Sequence, residues 1–183
     1  MESSRELLTT LSKTPRGEAA QPKAELAGRY RPVLQAFARR IGVEASKIEA
    51  AVEAAMEGLY ENAWAEDFDP ELETRERLFG LMKIHIAEVS LSASNPLQTD
   101  EALHTAWEAE WRRGLVRFSI TVLSKSTDTD ARALQAFELH VIEKHTAGDV
   151  AKELGMSHTA VFGAKNLLLG KLQRLMGELE GRF

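Results

Sequence analysis

The chain has 183 residues, 44% of them apolar, which is long enough for one domain or two small ones and apolar enough to build real cores. It contains no cysteine, which excludes disulfides, thiolate–metal sites and a thiol nucleophile. A net charge of −5 argues against a protein that coats DNA uniformly, and no apolar run approaches the roughly 18 residues of a membrane span.

In chain order, residues 1–23 are polar, with Pro15, Gly17 and Pro22, and read as a flexible arm with room for a short helix at 4–12. From Ala24 to Ile41, Leu26, Tyr30, Val33, Leu34, Phe37 and Ile41 recur every three to four residues, an amphipathic helix that Gly42 ends. Residues 44–65 repeat the pattern through Ile48, Ala51, Val52, Ala55, Met56, Leu59, Tyr60 and Ala63. Asp69-Pro70 makes a helix start, and residues 72–90 carry Leu72, Leu78, Phe79, Met82, Ile86 and Val89 on one stripe. The stretch SLSASNPLQTD, 90–100, has the composition of a linker. Thr99 or Asp100 then caps a helix over 101–124 with Trp107, Trp111, Leu115, Phe118 and Val122 inward. Residues 129–145 form another through Leu134, Phe137, Val141 and Ile142, and two further helices follow in 146–176. The expected fold class is all-α: two small helical lobes, 24–90 and 101–183, joined by a linker at 91–100.

The charge is unevenly spread. Residues 1–43 hold eight Lys/Arg and four Asp/Glu, whereas residues 44–110 hold four and sixteen. Residues 111–145 are net +2 and residues 146–183 net +1. Contacts with nucleic acid are expected outside the acidic block, because carboxylates repel phosphate. The many carboxylates of 44–110 read as a solvated surface rather than as paired acid and base catalysts. The N-terminal MESSRELLTTL lacks the layout of a signal peptide, so a soluble cytoplasmic protein with no membrane partner is expected.

No enzymatic constellation stands out. His140 and His145 are five apart, not the four that a metal pair on one helical face prefers, and His85, His104 and His158 are isolated. Gly163 and Gly170 fall inside a helical pattern rather than in a phosphate-binding loop. No catalytic residue, metal or cofactor is expected.

The most informative stretch is 146–176, TAGDVAKELGMSHTAVFGAKNLLLGKLQRLM. Ala151 sits where two helices cross closely, Gly155 four residues later where the chain turns, and Val161 six after that as an apolar anchor. This spacing makes a helix-turn-helix that presents the start of its second helix to a DNA major groove. Ser157 is a good N-cap, and Ser157, His158 and Thr159 reach phosphates and base edges. Phe162, Lys165 and Asn166 lie one turn on, where Asn pairs with adenine and Phe touches a thymine methyl. Lys171 and Arg174 suit contacts with the DNA backbone further along. Blander readings stand beside these: a plain scaffold, a packed Phe162, an idle surface His158. Leu167, Leu168, Leu169 and Leu172 point to helix packing or a partner surface.

The blocks WEAEWRRGL (107–115), ARALQAFELHVIE (131–143), AGDVAKELGMS (147–157) and AVFGAKNLLLGKL (160–172) carry a family resemblance. In order and spacing, residues 107–176 resemble the second DNA-binding domain of sigma-70 family RNA polymerase sigma factors. The short extracytoplasmic-function type, in a planctomycete-like subgroup, is the most similar. ELAGRYRPVLQAFARRIGV (25–43) resembles the opening helix of the family's first domain, and Phe68, Asp69 and Pro70 match its FDP segment.

Departures follow that segment. Arg75 stands where an aromatic is usual, Leu78 where a Trp is usual, and His85 where an Asn is usual. The segment that docks on the polymerase clamp falls near 47–52, reads KIEAAV, and assigns polymerase contacts to Lys47, Ile48 and Val52. The resemblance implies association with core RNA polymerase and recognition of promoter DNA by the helix beginning near Ser157. An anti-sigma or other regulatory protein is a further partner class that it brings in. Melting of the promoter needs aromatic platforms and cations, and 68–90 offers only Arg75, Arg77 and Lys83 as cations. The alternative is a sigma-derived interaction or regulatory module that no longer melts promoters.

Overall fold

The structure is a computed structural model that describes residues 2–69, 72–89, 99–126 and 129–179. Among these residues the fold is all-α, with eight α-helices and no strand. The chain divides into two compact units, Met1–Gly114 and Leu115–Gly181.

In the N-terminal unit, α1 (Ser4–Lys13) starts with a capping box in which Ser3 and Glu6 each satisfy the other's backbone amide. A helix this short is marginal alone. It is held because Leu7, Leu8 and Leu11, which share one face, are buried, and α1 packs on α2 (Ala20–Arg40) and α3 (Ala45–Ala63). The expected arm over 1–23 is thus replaced by a docked helix, a short 3₁₀ turn at Arg16–Glu18 and the start of α2. Pro22 lies in the first turn of α2, where its missing N–H costs no helical bond, so it does not delay the helix to Ala24.

Part of the acidic block faces the basic segment before it. Glu49, Glu53, Glu57 and Glu61 are spaced by four along α3 and so share one face. Arg31 pairs with Glu49 at 2.9 Å and with Glu53. Lys23 pairs with Glu57 at 3.3 Å, and Arg16 meets Glu61 through two bonds of 2.7 and 2.6 Å. Arg16 and Lys23 also lie over the Trp64 ring. Exposed pairs of this kind contribute little individually. Their consequence is that three cations of residues 1–43 stand against four carboxylates of α3.

Two tyrosines sit at these contacts. The Tyr30 hydroxyl shares a hydrogen bond with Ser4, to which Arg29 also donates at 2.8 Å. Tyr60 donates to the Lys23 carbonyl at 3.1 Å. Burial raises the pKa of Tyr30, and burial together with Glu57 and Glu53 pushes Tyr60 up to about 12. Each neutral phenol is favoured by the fold, so its stabilisation is complete below the ordinary tyrosine value of 10.0 and is lost as pH rises from there through the folded value. Stability should therefore decline above about pH 10. A tyrosinate absorbance titration should show ionisation delayed in the native protein and normal in denaturant. Identical curves in both would refute the assignment.

Helix α4 runs from Thr74 to Val89, not from the expected Asp69-Pro70 start. Leu72 consequently lies outside it and is 49% exposed, and Pro70 is outside the described residues. Leu78 and Met82 are buried, and α4 packs on α3. The expected linker at 91–100 lies outside the described residues except for Thr99 and Asp100. Thr99 Oγ1 accepts from the Ala102 amide at 3.3 Å and caps α5 (Asp100–Ser124).

The boundary between the units falls within α5, after Gly114, so the expected second lobe loses its first turns. Trp107 and Trp111 belong to the N-terminal unit because their partners are there. Trp107 lies 5.2 Å from Phe37 and 5.6 Å from Phe79, ring centre to ring centre. Trp111 stacks on Tyr30 at 5.5 Å. Glu110, buried beside them, is held by Arg40 at 3.1 Å and by Arg113.

In the C-terminal unit, α6 (Ala131–Phe137) is capped by Asp130, whose carboxylate accepts from the Ala133 amide at 2.7 Å. It continues as a π turn over Glu138–Ile142. A π turn takes one residue more than an α turn. The register therefore slips after Phe137, and Ile142, expected inward, is 50% exposed. Helices α7 (Ala147–Leu154) and α8 (His158–Leu179) follow. Two apolar clusters hold the unit: Ala136, Val150, Ala151, Val161 and Ala164, then Leu123, Phe137, Leu168 and Leu172.

Candidate nucleic-acid interface

The turn between α7 and α8 is set by local chemistry. Thr146 caps α7, accepting from the Asp149 amide at 3.2 Å and donating to the Asp149 carboxylate at 2.6 Å. At the other end Gly155 is left-handed, with φ 59°. The Met156 amide donates to the Ala151 carbonyl at 2.9 Å and the Gly155 amide to Lys152 at 3.4 Å. This is a Schellman arrangement, which needs a residue that tolerates positive φ. Ser157 then caps α8, accepting from the Ala160 amide at 3.1 Å. Ala151, small and buried, and Val161, fully buried, meet in the apolar cluster between α7 and α8.

The expected DNA-contacting residues separate into two groups. At about 100° per residue, His158, Thr159, Phe162, Lys165 and Asn166 share one side of α8 near its start. His158, Thr159 and Asn166 are exposed, Phe162 is 47% exposed, and Lys165 is half-buried. Ser157 joins them as the exposed cap. Lys171 and Arg174 lie on the other side of the helix with Leu167, itself 56% exposed, and Arg174 is about 24 Å along the axis from His158. The Lys171 ammonium is 3.5 Å from Thr129 Oγ1. One compact face thus gathers six of the eight residues, and the remaining two do not belong to it.

In comparisons with protein-family models, curated proteins and solved structures, nothing matches this chain. The interface therefore stands on its own geometry.

The residues expected to dock on polymerase are placed differently. Ile48 and Val52 are 5% and 0% exposed and belong to the core of the N-terminal unit. Their helical spacing turns them inward with Ala51 and Ala55, so they offer no docking surface. Lys47 is half-buried and pairs with Glu44 at 3.6 Å.

Two contributors to the α7–α8 face were not legible in the sequence. Arg132, on α6, donates to the Leu154 and Gly155 carbonyls, each at 2.9 Å, and so satisfies the end of α7. His140, in the π turn, sets its ring perpendicular to that of Phe162, with ring centres 5.6 Å apart. A partial signal existed for Arg132, a cation on the helix preceding a Gly-ended turn. None existed for His140, because only the π turn brings it round. Among the described residues no group of three or more His, Asp or Glu converges to hold a metal ion, and no helix is long and apolar enough to cross a membrane.

Proposed function

We propose that the chain is a sigma factor-like regulator of transcription initiation, which associates with core RNA polymerase and recognises promoter DNA through a helix-turn-helix formed by α7, the 155–157 turn and α8. The observation that carries this reading is the exposed N-terminal face of α8, which a glycine turn and a small–large crossing hold clear of the core. Backbone amides at a helix start favour phosphate, and Phe162, Lys165 and Asn166 stand where base edges would lie. The activity is binding, with no reaction of its own, and its place is the cytoplasm, beside polymerase.

The deciding experiment is co-purification with core RNA polymerase, followed by reconstituted transcription. A stable protein that never binds polymerase would sink the reading. At the residue scale, Lys165→Ala should weaken duplex binding and flatten its salt dependence by about one charge. An unchanged salt slope would remove Lys165 from the face.

Burial of Ile48 and Val52 favours a second reading. A sigma-derived module that keeps the C-terminal reader but engages a protein partner, an anti-sigma or another regulator, needs no clamp-docking segment and no promoter melting. Duplex binding without polymerase binding selects it.

A further inference from the structure

The geometry points to a small-molecule site in the N-terminal unit: an open groove of about 570 Å³ between the end of α2 and the first two turns of α5, which takes an elongated zwitterion with a carboxylate at one end and an ammonium at the other. It stands independently of the DNA-binding reading. Arg40, Thr99, Glu101, Ala102, Thr105 and Ala106 line the groove. Thr99, which caps α5, is followed by Ala102 and Ala106 at steps of three and four, so the three lie along one side of the helix. Small side chains there leave room beside α5, and the volume is that of a small-molecule cleft. Six lining residues are far fewer than the roughly 20–30 a side of a stable protein interface, so the occupant is a free small molecule rather than a second chain.

One end of the groove is prepared for an anion. Glu110 is 5% exposed, and a buried carboxylate is costly unless it is paired. Two guanidinium groups pair with its Oε1, Arg40 at 3.1 Å and Arg113 from the next turn of α5. One negative charge thus meets two positive ones, and the group keeps a net positive charge. Both arginine side chains remain partly exposed, 41% for Arg40 and 54% for Arg113. Arg40 carries this charge to the groove and is held in place by Glu110. A planar guanidinium fixed in this way can take a second carboxylate with the donors that Glu110 does not use.

The other end carries the opposite charge. Glu101 lies nine residues before Glu110, about 13 Å along the helix axis. It is exposed, and among the described residues no cation pairs with its carboxylate. Lys83, the cation on α4 nearest in the chain, is taken up by Asp100 at 2.7 Å. The Thr99 hydroxyl accepts from the Ala102 amide and can still donate, and the Thr105 hydroxyl donates to the Glu101 carbonyl at 2.9 Å and can still accept. Between the two ends Ala102 and Ala106 offer an apolar floor. The groove therefore matches an ammonium at Glu101, a short run of methylene groups over the alanines, and a carboxylate at Arg40.

The test is isothermal titration calorimetry of the full chain, at constant ionic strength, with 6-aminohexanoate, hexanoate and inorganic phosphate as probes. The wild type should bind 6-aminohexanoate in about the millimolar range and about threefold more tightly than hexanoate. Arg40→Gln should weaken both by about tenfold or more. Glu101→Gln should erase the preference for the amine-bearing probe. Ala102→Leu, which fills the groove and leaves the pairs on Glu110 in place, should abolish binding. Leucine suits a helix, so this variant carries the test if Arg40→Gln does not fold, and circular dichroism checks each. No saturable binding of 6-aminohexanoate, or binding that survives Ala102→Leu, overturns the proposal. So does a preference for 6-aminohexanoate that survives Glu101→Gln. Phosphate bound as tightly as 6-aminohexanoate would reveal a bare anion site and overturn it as well. Each of these outcomes leaves the DNA-binding reading intact.

Discussion

Replacing Trp107 by alanine is expected to lower stability by about 3–5 kcal/mol. That is a large share of the roughly 5–15 kcal/mol that holds a typical domain together. The indole is fully buried, and Phe37, Phe79 and Trp111 surround it at ring distances of 5.2, 5.6 and 5.3 Å. Its Nε1 has no hydrogen-bond partner among the described residues, so truncation orphans no polar group. The cost is the cavity and the lost ring contacts. Its location distinguishes the structure from the sequence reading, which placed Trp107 with the C-terminal helices. Native-state hydrogen exchange on Trp107→Ala should show protection falling in α2 and α4 and kept in α6 to α8. The reverse pattern would return Trp107 to the other unit.

The second large effect is at Gly155. Its φ of 59° is costly for a residue with a side chain, and a β-carbon there would stand 3.1 Å from the Arg132 guanidinium that closes α7. Gly155→Ala should cost about 1–2 kcal/mol, and Gly155→Val more, because a β-branched residue at positive φ is a genuine outlier. Gly155→Asn should cost less than either, since Asn tolerates the left-handed region. Duplex binding should fall further than stability alone requires, because the turn aims the start of α8. All three tryptophans, Trp64, Trp107 and Trp111, lie in the N-terminal unit. Gly155→Val should therefore shift the circular-dichroism transition while leaving the tryptophan-fluorescence transition in place. An order in which Asn is the worst of the three would show that backbone conformation is not what the position requires.

Much of this architecture was legible residue by residue. The apolar periodicity in 24–41 and 44–65 announces α2 and α3, because a buried stripe must repeat at the helical period. Ala151, Gly155 and Val161 announce the α7–α8 turn, because each requirement there is local: a small side chain, a positive φ, an apolar anchor. Ser157 announces a cap for the same reason. Ile48 and Val52 carry a lesson of another kind. Their place on the apolar stripe of α3 already implied burial, and the family resemblance pulled them towards a surface role that the core does not allow.

Other features depended on which segments meet. The capping box and leucines of α1 were readable, but whether ten residues hold as a helix depends on α2 and α3 burying those leucines. The glutamates of α3 are exposed, as a solvated face is, and the fold adds Arg16, Lys23 and Arg31 opposite them. The unit to which Trp107 belongs is decided by the aromatic rings of α2 and α4 that surround it.

The sequence by itself determined that this protein is helical, where most of its helices run, and how α7 turns into α8. Propensity, capping and the demand for positive φ act over a few residues, and a few residues are enough to state them. The tertiary structure alone decided that His140 meets Phe162. It alone also decided that the tryptophans of α5 serve the N-terminal core. Those outcomes depend on contacts between residues far apart in the chain and on one extra residue in a π turn, and no local pattern encodes either.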